Sequence, residues 1–163
     1  MSSFSLKLLS ALAALAVCCG AHAAEVERTY AAPAARFATT VTVPAMAETV
    51  YLSGTLSPPS DALPGGDRST EAQTEAVLKS IEATLKAQGL SMGDVVSMHV
   101  FLVGDPAKGG VMDFAGMNAA YGRFFGSPTQ PNRPVRSTVQ VSALALPGSL
   151  VEIEVIAART RPR

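Results

Sequence analysis

The segment VEIEVIAAR, residues 151–159, alternates between apolar and charged side chains over its first five positions. In an extended chain successive side chains point to opposite faces. Val151, Ile153 and Val155 therefore share one face, and Glu152 and Glu154 share the other. A strand of this kind needs cover on its apolar side and tolerates water on the other. The fold is thus limited to a sheet with one covered face, and the question becomes what covers it.

Two helical stripes supply the cover. Thr70 to Gln88 places Val77, Ile81 and Leu85 at i, i+4 and i+8, with Leu78 beside them. Gly89 and then Leu90 mark its stop. Met112 to Phe125 places Phe114, Met117, Tyr121, Phe124 and Phe125 on one face, a pattern that reads as core packing against a sheet. Between these helices VVSMHVFLV, Val95 to Val103, is an apolar strand. Its lack of clean alternation points to burial on both faces or to a subunit contact. Phe37 to Val43 and Glu48 to Ser53 read as two further strands, paired as a hairpin. LSPPSDALPGGDRST, residues 56–70, is too rich in Pro, Gly and Ser for regular structure. Two strands close the chain, Arg136 to Val141 and Leu150 to Ala158. The predicted order is β-β-α-β-α-β-β. This is an α+β two-layer sandwich, a mixed β-sheet with two helices packed on one face. The domain spans 37–160, with 24–36 as an N-terminal lead-in and 161–163 as a tail.

The first 23 residues stand outside that domain. Lys7 gives a small positive region, Leu8 to Val17 an apolar core too short to span a bilayer, and Ala21-His22-Ala23 a small-x-small site. This is a secretory signal peptide with cleavage expected after Ala23, so the protein is expected in the periplasm or secreted. Lipid attachment at Cys18 is the weaker reading, because Val17 precedes it where a small residue is wanted.

Cleavage removes both cysteines and His22, leaving a mature chain of about 140 residues, one domain's worth. That chain has no disulfide, no thiolate nucleophile and no thiolate metal site. Its one histidine, His99, excludes a histidine-built zinc site. A Ser-His-Asp triad would have to use His99, and no Gly-x-Ser-x-Gly elbow accompanies it. Set in an apolar strand, His99 reads as a structural imidazole. No cofactor and no metal is expected. Thirteen Lys and Arg balance thirteen Asp and Glu, and the only basic cluster is Arg159 to Arg163, read as a solvated tail. A nucleic-acid partner is not expected from such a balance. No transmembrane segment follows the signal, so no membrane association is expected after cleavage.

One charge calls for explanation. Pro134 fixes its own backbone and biases Arg133 away from helix, and Arg136 then opens a strand in which Arg136, Thr138 and Gln140 share a face. Three readings are open: a solvated strand end, an ion pair with a glutamate on a neighbouring strand, or a cation aimed at an anion.

PVRSTVQV, then LP, then VEIEVIAAR resembles the C-terminal signature of the RidA/YjgF family of imine deaminases. YLSG, AQGLSMGDVV and DFAGMNAAYGRFF match the family's strand, helix-to-strand segment and second helix in the same order. The resemblance covers the chain from about Phe37 onward. It implies a chorismate-mutase-like fold, homotrimers with ligand clefts between subunits, and 2-imino acid deamination. Residue by residue it implies that Arg136 pairs with the substrate carboxylate and Glu152 positions or activates water. Asn118, Ser53 and Gly54 line the pocket. Thr138 stands where many members carry a cysteine, Phe37 where many carry a tyrosine, and Gly54-Thr55 replaces the common Gly-Gln. The competing expectation is a trimeric protein of the same fold that binds small carboxylates without turnover. A ribonuclease reading, given to some members, runs against the neutral charge.

Overall fold

The computed structural model describes residues 25–58 and 63–160. The predicted signal peptide, its cleavage site and the tail 161–163 lie outside the described residues. Six strands and two helices follow one another: β1 Glu27–Thr29, β2 Thr40–Thr42, β3 Glu48–Leu56, α1 Thr70–Ala87, β4 Val95–Val103, α2 Phe114–Phe124, β5 Val135–Val141 and β6 Val151–Arg159. Strands β3 to β6 form a mixed sheet in the order β3-β6-β4-β5. β4 and β5 pair in parallel across the α2 crossover, while β6 runs antiparallel to both its neighbours. Both helices cover the same face, as the apolar side of β6 required.

α1 begins at Ser69, whose hydroxyl accepts from the Ala72 N–H at 3.2 Å. It ends where Gly89 adopts φ 68°, which lets the Leu90 N–H turn back to the Leu85 carbonyl at 2.9 Å. α2 begins at Asp113, whose carboxylate accepts from the Gly116 N–H at 3.0 Å. The two helices are tied together by Arg123, which bridges Glu71 and Glu75 of α1. Beneath them Met98, Val100, Leu102, Val151, Ile153 and Val155 are all buried. At the N-terminal end of α1 lies a buried polar knot. Gln73 Oε1 accepts from Ser57 Oγ at 2.6 Å and from the Leu150 N–H at 2.7 Å, and its Nε2 donates to the Arg68 and Gly148 carbonyls.

Among the described residues no layer covers the other face of the sheet. Burial alternates along β4, with Val96, Met98, Val100 and Leu102 inward and Ser97, His99 and Phe101 outward. The expectation of burial on both faces is therefore corrected. Phe101 makes the strand look continuously apolar yet stands on the open face, and Val103 at the strand's end is partly buried against the core. His99 is not a core imidazole: its side chain is 52% exposed and its Nδ1 lies 3.7 Å from Glu154 Oε2.

A second correction concerns the N-terminal strands. β2 pairs antiparallel with β1, Glu27 opposite Thr42, and not with β3. β3 instead uses β6. The lead-in thus carries a strand, and it is fastened to the domain. Arg28 Nη2 donates to the Gly93 and Val95 carbonyls at 3.0 and 3.3 Å, and the Arg133 N–H donates to Tyr30 Oη at 3.2 Å. Three residues are too few for a period of two to show, so these ties were not legible in the pattern.

Candidate functional site

Arg136 lies opposite Met98 in the β4–β5 register, so its side chain faces the helix layer and not the open face. β5 is the edge strand beside α2. There Arg136 Nη2 donates to Asn118 Oδ1 at 2.9 Å, and Nη1 lies 3.8 Å from Met117 Sδ. The Asn118 amide is fixed in turn, because its Nδ2 donates to the Phe114 carbonyl one helical turn earlier at 2.8 Å. Three rings surround the guanidinium carbon, with centroids at 4.4 Å for Tyr121, 5.3 Å for Phe37 and 5.9 Å for Phe114. Each can hold a cation against its face.

None of the salt bridges among the described residues includes Arg136. The ion-pair reading is therefore not what the structure contains, and neither is a solvated strand end. Burial lowers the Arg136 pKa from its ordinary value, the nearby Arg36 charge lowers it further, and Tyr121 acts the other way. Burial pushes the Tyr121 phenol up against the pull of Arg136 and Arg133, so it stays a neutral hydroxyl. That hydroxyl and the Thr138 hydroxyl are both buried with no hydrogen-bond partner. Thr138 lies opposite Val100 and so shares the Arg136 face. Phe37 reaches the site because the Ala38 N–H donates to the Pro134 carbonyl at 2.9 Å, which lays residues 37–39 along the start of β5. Phe37, Thr39, Val135, Arg136 and Ser137 line a groove of about 320 Å³ there. A larger groove of about 500 Å³ beside the end of α1 is lined by Lys79, Glu82 and Lys86, whose charges balance in part.

The other three predicted residues form a separate group. Leu52 faces Val155 and Thr55 faces Ile153, so Ser53 and Gly54 together oppose Glu154 in a bulge. A Cβ on Gly54 would overlap the Glu152 carboxylate, so only glycine lets that side chain lie across the bulge. Glu152 lies opposite Phe101 and points to the open face. Phe37, Asn118, Arg136 and Thr138 thus gather at the β5–α2 edge, and Ser53, Gly54 and Glu152 at the β3–β6 edge. β4 lies between β6 and β5, a separation of roughly 10 Å, and the two side-chain sets leave opposite faces. Within one chain Arg136 and Glu152 do not meet.

Two residues of the site escaped the pattern. Tyr121 and Phe114 both fit the apolar stripe of α2. Tyr121 is buried and stacks on Phe125 at 4.7 Å, but its other side floors the guanidinium. Phe114 is 44% exposed. A continuous apolar helix face carries no signal that separates a core ring from a site ring.

The chain resembles known proteins over most of this fold. A family model described as Endoribonuclease L-PSP matches residues 28–159. Protein DfrA of Myxococcus xanthus is 42% identical over 110 residues, 66% of this chain and 73% of that protein. Reactive Intermediate Deaminase A, chloroplastic, of Arabidopsis thaliana is 37% identical over 108 residues, 66% of this chain and 52% of that protein, so the match spans about half of its length. The crystal structure of E. coli TdcF with bound serine aligns with a TM-score of 0.54 and 33% identity, covering 69% of this chain and 81% of that one.

Proposed function

The chain belongs to the RidA/YjgF family, and from that membership we propose that it is a hydrolytic deaminase of reactive 2-imino acids and enamines. Its products are a 2-oxo acid and ammonia. The observation that carries this reading is the Arg136 guanidinium, half-buried among three rings, with Asn118 as its one oxygen partner and no salt bridge to a carboxylate among the described residues. A cation withdrawn from water without a counter-ion is costly, and an incoming carboxylate relieves that cost. A planar guanidinium holds a carboxylate by two parallel hydrogen bonds, which fixes the imine carbon in one orientation. A bound serine in a relative is an amino acid carboxylate of the kind such a site would hold.

In this reading Glu152 takes a proton from water as the oxygen attacks the C=N carbon, and the C=N electron pair moves to nitrogen. Glu152 returns that proton to the nitrogen, giving the neutral carbinolamine. The hydroxyl proton then passes to the amino nitrogen through the same carboxylate, C=O forms as the C–N bond breaks, and ammonia departs. Because Arg136 and Glu152 stand two strands apart and on opposite faces of the sheet, the reaction needs two copies of the chain. One subunit supplies Arg136, Asn118, Thr138 and Phe37, and its neighbour supplies Ser53, Gly54 and Glu152. A homotrimer with clefts between subunits satisfies this arrangement. The predicted signal peptide would place that chemistry outside the cytoplasm, close to whatever reaction releases the imine.

The competing reading is a trimeric carboxylate-binding protein without turnover, and the Arg136 group alone would suffice for it. An imine-trapping assay separates the two. An amino-acid oxidase generates the imine, semicarbazide competes for it, and a deaminase slows semicarbazone formation. Suppression by the mature protein and none by Arg136→Ala is the expected result. No suppression with imines derived from alanine, leucine and methionine would favour the binding protein.

A further inference from the structure

We infer that Phe37 and Phe114 are specificity residues, and that the site selects ligands carrying a bulky apolar side chain next to the carboxylate. This rests on the carboxylate role given to Arg136 above. Both rings lie within 6 Å of the guanidinium carbon, yet they are 43% and 44% exposed. Tyr121, the third ring, is buried and serves as floor. Among the described residues the one ring pair is Tyr121 with Phe125, so neither exposed ring is spent on another aromatic. The anion anchor is thus bracketed by two apolar surfaces that the fold itself leaves uncovered.

Two further observations orient the ligand. Among the described residues Arg136 Nε finds no hydrogen-bond acceptor, and it is not among the fully buried atoms without a partner, so solvent or a ligand can reach it. A carboxylate taking that edge puts its α-carbon, and then its side chain, within van der Waals reach of the flanking rings. A methyl group is too small to touch both. A polar or acidic side chain would lose water against hydrocarbon with nothing returned by Phe37, which has no hydroxyl to offer. Arg36 is the opposing influence, since its charge is felt at Arg136, but its side chain is exposed to water.

The test compares kcat/KM for imines generated from leucine or phenylalanine with those generated from alanine or aspartate, on the full mature protein. The bulky apolar imines should lead by on the order of tenfold or more, the discrimination typical of extra methylenes in an apolar site. Phe37→Ser and Phe114→Ser should each cut that ratio several-fold, and Phe37→Leu and Phe114→Leu, which keep apolar surface, should retain most of it. A parallel calorimetric titration with 4-methyl-2-oxopentanoate and with pyruvate needs no turnover and should show the same order. If no imine is consumed but the binding order holds and shifts in the serine variants, the deaminase reading fails and the specificity stands. A wild-type ratio near one in both assays, a preference for the aspartate-derived imine, or serine variants that lose assembly with the ratio unchanged would each overturn it.

Discussion

Arg136 is a cation that no salt bridge among the described residues neutralises. The aromatic faces and Asn118 soften its burial without neutralising it. Arg136→Met, which keeps the aliphatic stem and removes the charge, is expected to abolish imine suppression and to raise the melting temperature, a site traded for stability. A fall in melting temperature would mean the guanidinium is a structural tie. Gly54→Ala tests the second group of residues. The new methyl must displace the Glu152 carboxylate, so kcat should fall by about tenfold or more, as for a displaced general base, while circular dichroism and carboxylate binding to the Arg136 half persist. At this scale the resemblance picked out Arg136 and Glu152, but the pattern of β5 hides where Arg136 points. Val135, Val139 and Val141 would be seated on the core by alternation alone, and they lie instead on the open-face side, with Val139 48% exposed. Only the β4 register reveals that the polar side of this edge strand is the one tucked beneath α2.

The helices and long strands were legible because their periodicity runs for many residues. β4 ends where its apolar run ends, and α1 stops at the glycine that marks its C-terminus. What the pattern could not show is the polar fastening between elements. Gln73 continues the stripe of Val77, Ile81 and Leu85 one turn earlier, but as a polar residue that gives no sign of its partners. It is buried and joins α1 to Ser57 after β3 and to Leu150 before β6. Gln73→Leu leaves a buried N–H and a buried hydroxyl unpaired and should cost about 3 kcal/mol in denaturant unfolding. A cost below 1 kcal/mol would mean water replaces it. The α1–α2 bridge is weaker and depends on pH. Lys79 foremost, and Arg123 to a lesser degree, hold the Glu75 carboxyl below its ordinary range against the opposing effect of desolvation. A depressed acid stabilises the fold above its unfolded pKa and loses that contribution as pH falls through the folded value. Arg123→Ala should therefore cost about 0.5 kcal/mol at pH 7, as exposed ion pairs do, and progressively less below about pH 4. A cost that stays level in acid would assign it to packing of the arginine stem.

At the scale of the molecule, one chain holds the Arg136 group and the Glu152 group on opposite faces of the sheet, and the proposed reaction requires them from two subunits. Co-expressing Arg136→Ala and Glu152→Gln chains puts this to a direct test. Mixed oligomers contain some clefts with both residues intact, so activity should reappear although either variant alone is inactive. With random mixing of equal amounts, about a quarter of clefts should recover, given equal assembly and independent action. No recovery in oligomers proven to be mixed would place both residues in one subunit's cleft.

The strand order carries a consequence for how the chain is made. β6 follows every other strand in the sequence, yet it sits inside the sheet between β3 and β4. Until it arrives, β3 and β4 have no partner in common, and Glu48 must wait for Arg159 to complete its end of the ladder. A ribosome would have to release nearly the whole domain before the sheet could close, and closure by such distant pairing is slow. A nascent chain of this design keeps β3 unpaired until its last strand emerges, and losing β6 to an early stop would leave only the parallel β4–β5 pair, with β3 cut off from it.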